Sequence, residues 1–254
     1  MLLQYCSDLH LEFPENKNFL QAHPLHCHAD ILVMAGDVVP FAMMKEYDYF
    51  FDSLSDSFDT VYWLPGNHEY YSSDAAERSG TLHEKIRENV FLVNNVSFQH
   101  GDTKLIFSTL WSRISPVNEW EIERCINDFH LIRYNGNRFS AAHFNRLHLD
   151  SLNFLHREVN LGHTGKMVVI SHYVPTLFHY PKVYKGSPLN EDFATELFDF
   201  IEGSAIDYWI YGHHHHHIPD FTIGKTSLLT NQMGYVRHRE HRLFDLGKVI
   251  RLGK

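Results

Sequence analysis

Five short apolar segments of this chain each run into polar residues that can bind a cation. Runs of four or five residues rich in Val, Ile, Leu and aromatic side chains are typical of buried strands. In open α/β sheets, ligand sites form beyond the carboxyl ends of the strands, so these polar residues are expected to converge. The segments and the residues after them are Leu2–Cys6 before Ser7 and Asp8, Ile31–Met34 before Gly36 and Asp37, Val61–Leu64 before Pro65, Gly66, Asn67 and His68, Met167–Ile170 before Ser171 and His172, and Tyr208–Tyr211 before Gly212 and His213.

Other segments predict the remainder of an α/β fold. Three later apolar runs, Phe221–Ile223, Ser227–Thr230 and Leu243–Phe244, indicate a closing antiparallel portion. Apolar residues at helical spacing lie between the strands, and this alternation is typical of a sheet with helices packed on its faces. Without a repeat, a linker or a break in composition, the chain is expected to form one domain over residues 1–254. The predicted helices are Asp74–Asn89, capped by Asp74, Asn118–Phe129, Ser140–Val159 and Asp192–Glu202.

The composition argues against several classes of protein. A hydrophobic fraction of 44% over 254 residues can supply a substantial core, so disorder is not expected. A formal net charge of -9 disfavours a nucleic-acid or anionic-membrane surface, because such binding needs a positive field. The N-terminus lacks a signal-peptide pattern, and no segment approaches the roughly 18 apolar residues of a membrane helix. A cytoplasmic protein is therefore expected, with Cys6, Cys27 and Cys125 as reduced thiols.

The polar residues at the strand ends form a set of nitrogen and oxygen donors within a chain of 21 histidines. Such a set favours Mn²⁺, Fe or Zn²⁺ over Mg²⁺ or Ca²⁺. It exceeds what one open catalytic ion uses, whereas two cations bridged by a carboxylate would occupy most of it. Two-metal sites clamp the attacking and leaving oxygens of a phosphoryl transfer. The set is Asp8, His10, Asp37, Asn67, His68, His172, His213 and His215.

The order and spacing of these residues resemble the calcineurin-like metallophosphoesterases. The resemblance extends from residue 8 to residue 215. It implies a metallophosphoesterase-type β-sandwich of mixed sheets flanked by helices, and metal-dependent hydrolysis of a phosphoester. The motifs that carry it are D-x-H at Asp8 to His10, G-D at Gly36 and Asp37, G-N-H-E from Gly66 to Glu69, S-H at Ser171 and His172, and G-H-x-H from Gly212 to His215.

The resemblance also implies a role for each residue of the set. Asp37 would bridge the two cations, together with a hydroxide that acts as the nucleophile. His68 would not bind a cation but would assist the leaving group or stabilise the transition state. Glu69 would orient other groups, and the glycines at 36, 66 and 212 would let the backbone turn sharply. The first cation would be held by Asp8, His10 and His215, and the second by Asn67, His172 and His213.

Other residues allow weaker interpretations. The run His213–His217 lies inside the chain and is not read as an expression tag; His214, His216 and His217 are interpreted as non-ligands, although alternation could place His217 near the pocket. His26 to His28 is interpreted as a loop rather than a metal site. The stretch Arg237–Arg242 is interpreted as a solvated surface, with binding of an anionic substrate as the alternative. Residues proposed to line the pocket are Arg113, Asn127 and Asp128.

Departures from the family motifs narrow the substrate. Val38 to Phe41 follow Asp37, so the longer signature of protein Ser/Thr phosphatases is missing. Lipid A pathway hydrolases carry Arg where this chain has His68, and the family's nucleases usually have longer chains. A small phosphomonoester or phosphodiester, including a nucleotide, is therefore expected as substrate. The alternatives are a nuclease and a catalytically inactive scaffold, and no oligomeric state is predicted.

Overall fold

Two mixed six-stranded sheets face each other in the computed structural model of the chain, which describes residues 1–252. Each sheet has four parallel strands at its centre and one antiparallel strand at each edge. The strands are β1 Leu2–Cys6, β2 Ile31–Ala35, β3 Thr60–Leu64, β4 Leu82–Arg87, β5 Val90–Asn94, β6 Val96–His100, β7 Thr103–Phe107, β8 Arg133–Tyr134, β9 Asn137–Arg138, β10 Lys166–Ile170, β11 Tyr208–Tyr211, β12 Phe221–Ile223, β13 Thr226–Thr230 and β14 Val249–Arg251. The strand orders are β14-β1-β2-β3-β5-β4 and β12-β13-β11-β10-β7-β6, and β8 with β9 forms a separate hairpin.

Helices cover the outer faces of the two sheets. The α-helices are α1 Pro14–Ala22, α2 Asp48–Ser57, α3 Ala75–Arg78, α4 Glu119–Cys125, α5 Asp128–Leu131, α6 Ala141–Asn160, α7 Asn190–Phe193 and α8 Phe198–Glu202. Short 3₁₀ helices span Phe41–Tyr47, His68–Tyr70, Lys182–Tyr184, Val236–His238 and Glu240–Leu243. Among residues 1–252, no helix has the length and apolarity needed to cross a membrane.

The apolar runs of the central strands are continuous because both of their faces are covered. In β2, Ile31 and Val33 enter the core between the sheets, whereas Leu32 and Met34 pack beneath the helices. All four side chains are buried. The predicted α/β class and the sandwich of mixed sheets flanked by helices are confirmed.

The predicted helix Asp74–Asn89 is wrong over most of its length. Asp74 caps a helix as expected, accepting a hydrogen bond from the Ala76 amide at 3.0 Å, but α3 ends at Arg78. The following residues form the edge strand β4, paired with β5. Leu82 and Ile86 are four residues apart, a spacing that matches one face of a helix and also one face of a strand. That ambiguity produced the error.

Two other predicted helices are broken, and one predicted strand is the end of a 3₁₀ helix. Asn118–Phe129 divides into α4 and α5, because Ile126 between them is extended. Asp192–Glu202 divides into α7 and α8, because Ala194 forms a β-bridge with Val174. The segment Leu243–Phe244 ends a 3₁₀ helix, and β14 closes the sheet instead.

The longest predicted helix is confirmed as α6. Its N-cap is Ser140, whose side chain accepts a hydrogen bond from the His143 amide. Phe144, Leu147 and Leu155 are buried on one face, as an amphipathic pattern requires.

Candidate metal centre

The predicted ligands meet where five parallel strands of the two sheets end. Strands β1, β2 and β3 deliver residues from one sheet, and β10 and β11 deliver residues from the other. The side chains form two groups whose potential ligand atoms lie within 4.8 Å of one another. The groups are Asp8, His10, Asp37 and His215, and Asp37, His172 and His213; a third cluster of this kind, His10, Glu12 and His68, adjoins them and contains no further predicted ligand.

In the first group, two imidazole nitrogens point towards each other. His10 Nε2 and His215 Nε2 are 2.8 Å apart. His215 Nε2 is 3.4 Å from Asp8 Oδ1, and His10 Nε2 is 3.6 Å from Asp37 Oδ2. Four nitrogen and oxygen donors therefore surround one small volume.

The second group also includes Asn67. His172 Nε2 lies 3.0 Å from His213 Nδ1, 3.2 Å from Asn67 Oδ1 and 3.4 Å from Asp37 Oδ1. Asp37 thus presents one carboxylate oxygen to each group. This is the arrangement that a carboxylate bridging two cations requires, and the donors fit two ions better than one.

Hydrogen-bond acceptors fix the orientation of three of these histidines through their other ring nitrogen. His172 Nδ1 lies 2.9 Å from the Ala35 carbonyl, His10 Nδ1 3.2 Å from Glu12 Oε1, and His215 Nδ1 2.9 Å from Glu240 Oε2. Hydrogen bonds of this kind fix the tautomer and increase the basicity of a ligating imidazole. Each Nε2 atom is therefore the one that points into the centre.

Asp128, which the sequence predicts only as a residue lining the pocket, orients Asn67. Asn67 Nδ2 donates to Asp128 Oδ1 at 2.8 Å, and the Tyr71 hydroxyl donates to the same oxygen at 2.9 Å. This contact fixes the amide so that its oxygen faces His172 Nε2. Asn127 also lines the cleft, as expected, whereas Arg113 is exposed and lies outside it.

The Glu69 carboxylate ties together the loops that follow β2 and β3. It accepts hydrogen bonds from the backbone amides of Asp37 at 2.9 Å, Val38 at 2.7 Å and Gly66 at 2.7 Å. Trp63 Nε1 donates to it at 2.9 Å. Glu69 therefore positions the backbone on both sides of Asp37 rather than contacting a substrate.

Five of the candidate ligands have left-handed backbone conformations, which non-glycine residues rarely adopt. Such conformations cost of order 1–3 kcal/mol each and cluster at functional sites. The φ angles are 56° at Asp8, 45° at His10, 55° at Asp37, 78° at His213 and 47° at His215.

The three motif glycines serve two purposes. Gly36 has a φ of 91° and makes the sharp turn that was expected. Gly66 and Gly212 do not have positive φ, so the expectation of a conformational role is wrong for them. They are needed for space instead: a Cβ at Gly66 would lie 2.6 Å from His172 Nε2, and one at Gly212 would lie 2.6 Å from Ser7 Oγ.

His68 lies beside the two groups and lines the cleft. Its backbone amide donates to Asp37 Oδ1 at 3.0 Å, and its Nδ1 lies 2.8 Å from Glu12 Oε1. Its ring centroid is 4.2 Å from that of Tyr71. Because Glu12 engages Nδ1, Nε2 is the nitrogen that can face a substrate.

The charges of the site are strongly coupled. Burial raises the pKa of Asp37, but the neighbouring His172 and His68 outweigh burial and hold that pKa well below its ordinary value. Burial lowers the pKa of His213 well below its ordinary value, assisted by His172. Burial and the nearby Asp37 raise the pKa of Glu69 to about 7. An anionic Asp37 and a neutral His213 are the forms in which these side chains bind metal. Burial opposes charge on the other two imidazoles, but neighbouring carboxylates outweigh burial and raise the pKa of His172 to about 9 and that of His215 to about 10, so these two imidazoles must lose a proton to bind a cation.

A cleft of about 440 Å³ opens beside the two groups. Its walls are rich in aromatic and acidic residues. They include Tyr71, Asp128, Tyr180, Tyr184, Asp192, Phe193, Tyr235 and Glu240.

The remaining histidines of the 213–217 run lie outside the two groups. His214 is buried, lines the cleft and accepts a hydrogen bond from the His216 amide at 3.1 Å. His216 and His217 do not line it.

Of the two weaker sequence features, His26 to His28 lies away from the centre, whereas the stretch Arg237–Arg242 reaches it through Glu240. His26 to His28 form a loop, with Cys27 Sγ donating to the Ser57 carbonyl at 2.9 Å. From the stretch Arg237–Arg242, only Glu240 reaches the cleft.

Sequence reasoning missed Glu12 and Glu240, although both contact candidate ligands. Glu12 follows His10 by two residues, so its proximity to the D-x-H motif was a usable signal. Glu240 reaches His215 from 25 residues away in the chain, and no local pattern indicates that contact.

Comparison with known proteins agrees with this geometry. Residues 4–217 match the family model described as calcineurin-like phosphoesterase. A curated relative, the uncharacterized protein L509 of Acanthamoeba polyphaga mimivirus, is 27% identical over 266 residues, covering 94% of this chain and 93% of that protein.

Two solved structures were also matched, and the first of them has the same overall fold. The phosphopantetheinyl hydrolase of Mycobacterium tuberculosis matches with a TM-score of 0.71 and 16% identity, covering 98% of this chain and 95% of that one. A dimetal phosphatase from Danio rerio gives a TM-score of 0.44 and 12% identity, over 91% and 87% of the two chains. The family match spans most of the sequence, and this chain belongs to the calcineurin-like phosphoesterases, as a phosphoric ester hydrolase with a dinuclear metal site.

Proposed function

We propose that the chain hydrolyses a small phosphodiester or phosphomonoester in a cleft beside two cations that share Asp37. The observation that carries this proposal is that Asp37 presents Oδ1 to His172 at 3.4 Å and Oδ2 to His10 at 3.6 Å. In this proposal one cation is held by Asp8, His10 and His215, and the other by Asn67, His172 and His213. The nitrogen and oxygen donors suit Mn²⁺, Fe or Zn²⁺.

The chemistry is an in-line displacement at phosphorus. When bound, the cations would neutralise charge on the phosphoryl oxygens and lower the pKa of the attacking water. A P–O bond forms to the water oxygen, and the P–O bond to the alcohol breaks. His68 gives a proton to the departing alcohol oxygen, and the proton lost by the attacking water balances it.

Glu12 and Asp128 orient the side chains that would bind the cations and donate the proton. Glu12 Oε1 contacts both His10 Nδ1 and His68 Nδ1, so one carboxylate orients a metal ligand and the proton donor together. Asp128 orients Asn67 in the same way. Each group is therefore positioned before substrate binds, which lowers the cost of reaching the transition state.

A small substrate is favoured over a nucleic acid. Of the described residues that line the cleft, none is Lys or Arg. Binding of nucleic acids depends on such side chains because they contact successive phosphates.

The alternative of a catalytically inactive scaffold is disfavoured. Every motif residue that such proteins lose is present here: Asp37, Asn67, His68 and His215.

Asp37→Asn tests this proposal. With Mn²⁺, the purified protein should hydrolyse p-nitrophenyl phosphate or bis(p-nitrophenyl) phosphate, and the variant should lose at least about 1,000-fold in kcat because both cations lose a charged ligand. Asp56→Asn is the matched control, since Asp56 is exposed on α2. Absence of turnover by the wild type on a broad panel of mono- and diesters, with any divalent metal, would refute the proposal.

A further inference from the structure

Asp192, at the C-terminal end of α7, is an unpaired carboxyl inside the cleft wall. Its side chain is 1% exposed, and it lines the cleft. Neither carboxyl oxygen has a hydrogen-bond partner in the described part of the chain. Its backbone amide donates to the Leu189 carbonyl at 3.0 Å, so the position is well fixed. Buried carboxyls are normally paired, which makes Asp192 a candidate for contact with a ligand.

Asp192 differs in this respect from the neighbouring Asp128. Asp128 accepts hydrogen bonds from Asn67 and Tyr71, and through the first of these it positions a candidate ligand. Burial, reinforced by the charge of Asp128, raises the pKa of Asp192 well above its ordinary value. A positive group in the cleft would offset that burial and stabilise the carboxylate form.

The surroundings of Asp192 also suit a cation. Tyr180, Tyr184 and Phe193 line the same cleft, and ring faces attract cations through their quadrupoles. The Phe193 ring centroid is 4.8 Å from that of His213, which places this part of the wall beside the second ligand group. The described lining contains acidic residues but no Lys or Arg, so a second anionic group on the substrate would find no ammonium or guanidinium group there.

We propose that Asp192 binds an ammonium group carried by the substrate's organic portion, with the aromatic wall packed around it. The substrate class is then a phosphoester of an amino alcohol, or a phosphodiester with an aminoalkyl substituent. This inference rests on the proposed function, because it assigns the organic portion of a phosphoester cleaved at the metal centre.

Two diesters that differ in one group provide the test. In p-nitrophenyl 2-aminoethyl phosphate the substituent ends in an ammonium group, and in p-nitrophenyl propyl phosphate it ends in a methyl group. Hydrolysis is followed as release of p-nitrophenol and, by mass spectrometry, of the aminoalcohol or propanol, so cleavage of either ester bond is counted. Wild-type enzyme with Mn²⁺ should prefer the aminoethyl ester by about tenfold or more in kcat/KM.

The variant Asp192→Asn keeps the shape of the side chain and removes its charge. The preference should fall to within about twofold of equality, while Asp199→Asn, an exposed residue on α8, should keep it. The ratio of the two kcat/KM values does not depend on the fraction of correctly folded enzyme. Equal hydrolysis of the two esters by the wild type, or an unchanged preference in Asp192→Asn, would overturn the assignment.

A second measurement uses the wild-type holoenzyme alone. Inhibition by 2-aminoethylphosphonate should be about tenfold tighter than inhibition by propylphosphonate, and equal inhibition constants would overturn the inference even if Asp192→Asn does not fold. Failure to hydrolyse either diester, or any other phosphoester, would instead refute the proposed function itself, and the inference with it.

Discussion

At the residue scale, carboxylates outside the proposed ligand set orient the histidines of the site, and Glu12 is the clearest example. Its Oε1 atom lies 2.8 Å from His68 Nδ1 and 3.2 Å from His10 Nδ1. Protein Ser/Thr phosphatases of the family have an Asp three residues after the metal-binding Asp, whereas Pro40 occupies that position here. In this chain Glu12 supplies a carboxylate that contacts both His68 and His10.

The role of Glu12 predicts how Glu12→Gln will behave. If Glu12 orients His68 for proton donation, the variant should lose about 10- to 100-fold in kcat on an alkyl ester, which needs its leaving oxygen protonated. The loss on a p-nitrophenyl ester should be several-fold smaller. Steady-state kcat values for both esters provide the check, with exposed Glu15→Gln as control. An equal loss on both esters would argue against proton donation.

Glu240 gives a second prediction at this scale, concerning metal affinity. Glu240 Oε2 lies 2.9 Å from His215 Nδ1, so Glu240→Gln weakens the acceptor that orients a proposed ligand. The dissociation constant for Mn²⁺ should rise about 10- to 100-fold. Titration of metal-free protein measures it, and exposed Glu77→Gln is the control. Unchanged affinity would contradict the proposed role of His215.

Individual elements were predicted from sequence with uneven success, for identifiable reasons. The strands before the motifs were correct because both of their faces are buried, which gives continuous apolar runs. The sequence predicts a helix where β4 lies, because the four-residue spacing of Leu82 and Ile86 fits one face of a helix as well as one face of a strand. The motif residues are predicted from their positions after apolar runs and from their order along the chain. Glu240 follows no such run, and it approaches His215 only in the folded chain.

The loop after β3 gives a prediction about close packing. Gly66→Ala would place a methyl group 2.6 Å from His172 Nε2 and against Asp37 Oδ1. Because these neighbours are fixed in the core, the variant should lose at least one bound cation per chain and most of its activity. Metal content by mass spectrometry measures this, with Gly203→Ala as control because its nearest contact, the Asp199 carbonyl, is 3.3 Å away. Full metal content in Gly66→Ala would contradict this packing.

The start of α6 gives a prediction about stability rather than activity. Ser140 caps this 20-residue helix, whose buried face packs against the core, and is not itself a motif residue. Ser140→Ala should lower the free energy of unfolding by about 1 kcal/mol, with kcat unchanged. Urea unfolding of metal-free protein provides the measurement. A change in kcat without a change in stability would show that α6 influences the site.

At the scale of the whole molecule, the two sheets pack face to face. The carboxyl ends of the parallel strands in each sheet supply part of the metal-binding residues. Asp8, Asp37 and Asn67 come from one sheet, and His172 and His213 come from the other. The sequence predicts that strand ends converge, whereas a sandwich of two mixed sheets is implied only by the family resemblance, and the six strands of each sheet are known only from the structure. Strand order depends on contacts between distant segments, which local patterns do not encode.

The central claim is that two cations share Asp37, and anomalous diffraction from crystals grown with Mn²⁺ tests it most directly. Two peaks are expected about 3.5–4 Å apart. One should lie among Asp8, His10 and His215, and the other among Asn67, His172 and His213, with an Asp37 oxygen bound to each. A single peak at saturating Mn²⁺, or two peaks without Asp37 between them, would contradict the claim.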